Sequence, residues 1–177
     1  VGNLSNRYTD GVFQENAYEN SSLNRIIACI NLNCYPKEFQ TFPLEFSPVD
    51  ICAHNIVKLL PDQNKNLNIY HLYNNNVTNF LNIQHLLEKN NIYLKAISSE
   101  DFKKLLIEQS NNYFGFANII NNKVTSNLNI SNEYTDSILK KLNLNWPIID
   151  DLYIQKIIDY LIKNKFIGEK TNETRKE

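Results

Sequence analysis

Apolar and polar positions along the chain alternate between short extended runs and amphipathic helical stretches. Residues 1–4 read as the end of a buried strand that opens onto a polar loop. Asn20 or Ser21 can then cap a helix whose stripe is Leu23, Ile26, Ile27 and Ile30, and Cys34-Tyr35-Pro36 ends it. Residues 41–46 are short, extended and apolar. Ser47-Pro48-Val49-Asp50 is a strong helix opening, with Ser at the cap, Pro at the first helical position and an acid three residues on. Val49, Cys52, Ala53, Ile56, Val57 and Leu60 follow at helical spacing, the clearest such pattern in the chain.

Further on, residues 67–73 have strand character, and Thr78 opens a helix carrying Phe80, Ile83, Leu86 and Leu87. Residues 92–97 alternate as a half-buried strand, with Ile92, Leu94 and Ala96 on one face and Tyr93 and Lys95 on the other. Residues 98–101 (Ser-Ser-Glu-Asp) cap a helix with Phe102, Leu105 and Leu106 inward. Residues 113–125 fit helix and strand equally. Residues 134–142 and 150–165 close the chain as helices, the second presenting Ile154, Ile157, Ile158, Leu161 and Ile162 on one face. The polar tail 169–177 is expected to fray. Strands early and helices late predict the end of an α/β sheet followed by a mostly helical lobe, divided as residues 1–91, 92–168 and the tail 169–177.

Composition narrows this little but excludes much. A length of 177 residues buries a core as one domain or one domain plus a lobe. Asn is heavily over-used, along with Ile, Lys and Tyr, as an AT-rich bacterial genome would produce; Asn74-Asn75-Asn76 sits where a loop belongs. Net charge is −1 with both signs interspersed, which offers no field for nucleic acid or an anionic membrane surface. No apolar run approaches the roughly 18 residues of a membrane span. Three cysteines at irregular spacing argue against a disulfide framework and for a reducing, cytoplasmic setting.

Four stretches carry a family likeness in register. Val1-Gly2-Asn3-Leu4 followed by Arg7-Tyr8-Thr9-Asp10-Gly11 resembles the region just downstream of the catalytic Tyr and Lys of thioester reductase domains. Phe46-Ser47-Pro48-Val49-Asp50-Ile51 resembles the family's Pro-Val-Asp helix start, and Ile69-Tyr70-His71-Leu72-Tyr73-Asn74 its Tyr-His-Leu strand. Tyr134-Thr135-Asp136-Ser137-Ile138-Leu139 with Trp146-Pro147 is similar to its closing helices. These domains are extended short-chain dehydrogenase/reductases that terminate nonribosomal peptide synthetases and carboxylic acid reductases. The resemblance implies an α/β fold: the last strands of a Rossmann-type parallel sheet plus a substrate-binding lobe. It implies an NADPH-dependent parent that takes an acyl or peptidyl chain from the phosphopantetheine of a carrier protein and releases an aldehyde or alcohol. Because the sequence opens on a strand and contains no Met, it is expected to be an internal or C-terminal piece of that parent. Its partners would be the carrier protein, the upstream part of the same reductase and, through an open sheet edge, a second copy.

The residues were weighed for chemistry with that family in view. Gly2, Gly11, Gly115 and Gly168 lie too far apart for a phosphate-cradling loop, so the pyrophosphate site is not in this chain. None of the ten tyrosines has Lys at the fourth position after it, which the family's catalytic pair requires. Tyr153 and Tyr160 have Lys156 and Lys163 at the third position; both pairs read as solvated residues of a late helix. The chain alone is therefore expected to have no catalytic residues and not to bind NADPH. Cys29, Cys34 and Cys52 and the three histidines lack ligand spacing. Asp50 reads as a helix cap. In the fold resembled, the strand holding Gly2 and Asn3 ends beside the nicotinamide, so these two are the cofactor-side candidates. Arg7, Tyr8, Asp10 and Gln14 would line the substrate side of the loop that follows. Another extended short-chain enzyme (a fatty acyl reductase or nucleotide-sugar epimerase) and a non-catalytic carrier-docking module are the alternatives.

Overall fold

The computed structural model describes residues 1–14, 20–60, 69–108 and 131–167; the ambiguous segment 113–125 and the tail 169–177 lie outside them. The strands are β1 (Leu4–Ser5), β2 (Cys34–Pro36), β3 (Pro43–Leu44), β4 (Ser47–Pro48), β5 (Thr78–Asn79) and β6 (Lys95–Ile97). The helices are α1 (Ser21–Asn31), α2 (Val49–Leu59), α3 (Phe80–Lys89), α4 (Ser99–Glu108), α5 (Glu133–Lys141) and α6 (Asp151–Lys163), with a 3-10 turn at Lys37–Thr41. β1 pairs with β4 and β2 with β6, both parallel, whereas β3 pairs antiparallel with β5. The molecule is thus mixed α/β, as expected.

The first strand starts later than its sequence suggests. Val1 is 68% exposed and the ladder begins at Leu4. Its partner ends on Pro48, which has no N–H to extend the pairing. Gly2 is nonetheless tied in, donating its N–H to the Leu72 carbonyl at 2.7 Å. Residues 69–73 run beside it without forming a ladder, so the strand expected over 67–73 is not one at its described positions. Cys34-Tyr35-Pro36 does more than end α1: it is the strand β2.

Helix starts follow their capping residues. Asn20, Asn79 and Asp150 accept from the N–H groups of Leu23, Asn82 and Tyr153, and Ser98 and Asp101 bond reciprocally at the head of α4. Helix ends show what the surplus Asn does. Asn33, Asn91 and Asn143 follow α1, α3 and α5 with φ of 55–60°, a conformation Asn tolerates better than most residues. After α3 and α5 the doubled bond of a left-handed terminator is complete: Asn91 and Asn143 N–H reach Glu88 and Lys140, while Ile92 and Leu144 N–H reach Leu87 and Leu139.

The main core gathers α1, α3, α4 and α6 around β2 and β6, with Ile30, Tyr35, Leu87, Phe102, Ile157 and Ile158 fully buried. It draws on residues either side of position 91. A smaller cluster of Leu59, Leu72 and Leu139, flanked by Trp146, joins α2 to α5.

Candidate functional site

The first fourteen residues cross the molecule at the junction of β4, α2 and α6. At Gly2 the backbone lies so close to its neighbours that an added Cβ would fall 2.5 Å from Tyr73 Cβ and 2.6 Å from a Glu45 carboxylate oxygen. The glycine is therefore required by the chain's own packing. Asn3 donates its N–H to Glu45 Oε2 at 2.6 Å and its carbonyl accepts from Ser47 N–H at 2.9 Å. Its side-chain amide makes no hydrogen bond to the described residues.

Asn74 builds the floor of this corner. It is wholly buried; its N–H donates to Ser47 Oγ at 3.0 Å and its amide to the carbonyls of Phe46 and Pro147 at 3.1 and 3.0 Å. Asn76 adds bonds to Trp146 and Pro147, and Asn75 to Asn132 and Asp136. The Asn triplet that reads as a solvated loop is a hydrogen-bonded hub, because amides supply both donors and acceptors where several carbonyls converge.

Beyond β1 the chain turns through residues 7–12. The Arg7 guanidinium forks onto Asp10 at 2.9 and 2.5 Å. The Val12 N–H and then Arg7 hold the Asp10 carboxyl below its usual range. Tyr8 stacks on Tyr153, with ring centroids 5.4 Å apart and planes 22° from parallel. Phe13 tucks against Tyr160, while Gln14 beyond it is exposed. The structure thus brings Arg7, Tyr8 and Asp10 together and leaves Gln14 apart. Arg7 and Asp10 are committed chiefly to each other.

Three residues take parts that the sequence reading misassigned. Asp50 is not the cap expected of it: α2 begins at Val49 with no side-chain cap, and Asp50 reaches the loop, accepting from the N–H groups of Tyr8 and Thr9. Tyr153 and Lys156 are not solvated. Tyr153 is 1% exposed; its hydroxyl lies 2.7 Å from Ser5 Oγ and donates to the Asn6 carbonyl at 3.2 Å. Lys156 Nζ donates to the Tyr8 and Thr9 carbonyls and sits 5.4 Å from the Tyr8 ring centroid. The available signal was the i, i+3 spacing on a face that also carries Ile157, but nothing local to α6 names a partner almost 150 residues away.

Ser5, Tyr153 and Lys156 have the residue types of a proton-transfer triad but the opposite electrostatics. Burial, foremost, raises the Tyr153 phenol far above its ordinary value. A hydride-coupled acid needs that value lowered towards neutrality, and the ammonium that could lower it is spent on backbone carbonyls. Tyr153 instead ties Ser5 and the Asn6 carbonyl to α6, and Lys156 ties the Tyr8 and Thr9 carbonyls. Beside them a cleft of about 290 Å³ is lined by Tyr8, Leu152, Tyr153, Gln155, Lys156 and Asp159, among others. Among the described residues no His, Cys, Asp and Glu group could hold a metal, all three cysteines are free and buried, and no helix is long and apolar enough to cross a membrane.

What could a nicotinamide cofactor find here? The Gly2 and Asn3 N–H groups are both occupied, and Glu45 places a carboxylate next to them. That charge disfavours phosphate; the free Asn3 amide suits a carboxamide or a ribose hydroxyl. The residues fit the nicotinamide end of such a cofactor.

The architecture is that of a mixed α/β segment built on short parallel strand pairs. The chain is similar to a thiolation-reductase di-domain from an archaeal non-ribosomal peptide synthetase, with a TM-score of 0.77 and 29% identity over 93% of this chain and 35% of that one. The reductase domain of the aureusimine biosynthetic cluster (TM-score 0.73, 24% identity) and the terminal R domain of the myxalamid PKS-NRPS pathway (0.72, 16%) share the fold over 93% of this chain and 44% and 43% of theirs. The resemblance to the C-terminal part of a thioester reductase therefore stands. The chain spans less than half the length of each of these structures. No protein-family model and no curated protein matches it.

Proposed function

We propose that this chain is the substrate-side portion of an NADPH-dependent thioester reductase, which releases an acyl or peptidyl chain from a carrier-protein phosphopantetheine as aldehyde or alcohol. The observation that carries the reading is the match over 93% of the chain to a solved thiolation-reductase di-domain at 29% identity.

In this reading the nicotinamide, when bound, supplies the hydride that adds to the thioester carbonyl. The chain's own residues bind and orient. The Asn3 amide holds the nicotinamide end of the cofactor, beside the close backbone approach at Gly2. Tyr8 forms a wall for the acyl chain, Arg7 and Asp10 lock the loop that carries it, and Gln14 lies further along the same side. The phosphate loop and the Tyr/Lys acid lie in the upstream part of the parent, which is the chain's first partner; the carrier protein is its second.

The test is kinetic. Asn3→Ala in the intact reductase keeps both backbone bonds of residue 3, so melting should hardly change while NADPH-dependent turnover of an acyl thioester drops. A lowered melting temperature with unaltered turnover would mark Asn3 as structural. An intact wild-type protein that oxidises no NADPH with any acyl thioester would end the reductase reading.

A further inference from the structure

Two helices far apart in sequence grip the same two residues of the loop, Tyr8 and Thr9, and meet on the peptide unit between them. Asp50, in the first turn of α2, accepts the N–H groups of Tyr8 and Thr9 at 2.9 and 3.2 Å and the Thr9 hydroxyl at 3.2 Å. Lys156, in α6, donates to the carbonyl oxygens of those same residues at 2.7 and 3.2 Å. A carboxylate thus holds the amide side of Tyr8–Thr9 and an ammonium the carbonyl side, and bonds with one charged partner are about twice as strong as neutral ones. Gly11 lets the loop lie flat on α6: its φ is +74°, and a Cβ there would meet Lys156 Cβ at 2.7 Å.

The loop does not need this grip to close. Arg7 N–H donates to the Val12 carbonyl at 3.0 Å, Gly11 N–H to the Arg7 carbonyl at 2.9 Å, and the Arg7–Asp10 fork ties it from within. Nor does α2 need it, since within its own helix Asp50 meets only the N–H of Ile51, at 3.0 Å. Both charges are spent on where a closed loop sits. What that placement decides is the position of the Tyr8 ring, stacked on Tyr153 at the wall of the cleft.

We propose that Asp50 and Lys156 are positioning residues for the reductase reaction, fixing the backbone of Tyr8 and Thr9 against α2 and α6 so that Tyr8 faces the acyl chain at a set distance. The proposal rests on the reductase reading above. Asp50 acts through the loop backbone alone, whereas Lys156, which also lies over the Tyr8 ring and lines the cleft, acts through both the backbone and that ring.

The kinetic arm uses the intact reductase with NADPH and an acyl N-acetylcysteamine thioester. D50N and K156M should each lower kcat/KM by about tenfold or more, within the roughly 100-fold that misplacing a group by an ångström can cost. The double variant should fall short of the product of the two, because both act on the same two residues and share the peptide unit between them. K156R should recover most of the loss, since a guanidinium can also donate to two carbonyls. Lower melting temperatures with kcat and KM unmoved, or K156R no better than K156M, would overturn the positioning role. The second arm measures amide exchange on the 177-residue chain: Tyr8 and Thr9 should exchange faster in D50N while Ile26 to Ile30 stay protected. Unchanged exchange at Tyr8 and Thr9 would sink the clasp itself. Wild-type protein inactive on the thioester would refute the reductase reading and the positioning role with it, leaving the exchange arm to judge the clasp.

Discussion

α2 and α6 carry the same kind of sequence and meet different fates. Each has apolar residues at helical spacing, and each sends one charged side chain to the loop at residues 7–12. In α6 the stripe Ile154, Ile157, Ile158 and Leu161 is fully buried in the main core, where the helix packs on α3, although Ile162, expected with them, is 44% exposed. In α2 only Cys52, Asn55 and Leu59 are buried, while Ile56, Val57 and Leu60 are 41%, 62% and 76% exposed. Periodicity specifies that a helix has an apolar face. It does not say that a neighbour covers it.

That contrast can be broken most directly by truncation. Ile157→Ala should cost ~2–5 kcal/mol in urea unfolding, the range for a buried large-to-small change, whereas Val57→Ala should stay within about 0.5 kcal/mol. Equal costs would mean that the outer face of α2 is covered. Tyr153→Phe should cost about 1–3 kcal/mol, because it strips a buried hydroxyl from Ser5 and the Asn6 carbonyl and leaves them unpaired. A neutral result would show that the Tyr8 stack alone keeps α6 in place.

The exposed face of α2 sharpens the comparison in another way. Together with the short, two-stranded β1–β4 pair, Val57 and Leu60 offer apolar surface and an open edge. The chain should therefore self-associate in light scattering at high concentration, and Leu60→Lys should return it towards monomer. A monomer in both cases would show that this face tolerates water. The smallest effect expected is on pH. Burial first and the Glu45 carboxylate second push the Cys52 thiol from 9.0 up to about 11. The folded chain holds that proton longer than the unfolded one, so stability is unaffected below about pH 9 and falls as pH climbs towards 11. Alkylation of Cys52 should lag a free thiol across that window; modification at pH 9 as fast as in unfolded chain would contradict it.

Much of the α/β frame was legible in the sequence because its signals are local. The sequence starts the helix carrying Phe80 one residue early, from Thr78 where Asn79 is the cap, while Ser98 and Asp101 bracket the head of α4, Asp150 caps α6, and the alternation around Leu94 marks β6. The wide spacing of the glycines is likewise read directly from the sequence. Each of these features rests on side chains a few residues apart, which the order of the sequence already states.

What only the tertiary structure decided are the long-range partners. Asp50 meets Tyr8 across 42 residues, Asn74 meets Pro147 across 73, and Lys156 meets Tyr8 across 148. The same carboxylate could have capped α2 and the same ammonium could have stayed in water. A charged side chain takes whatever unpaired backbone group packing brings within reach, and that choice exists only once α2, α6 and the loop have been brought together around the core.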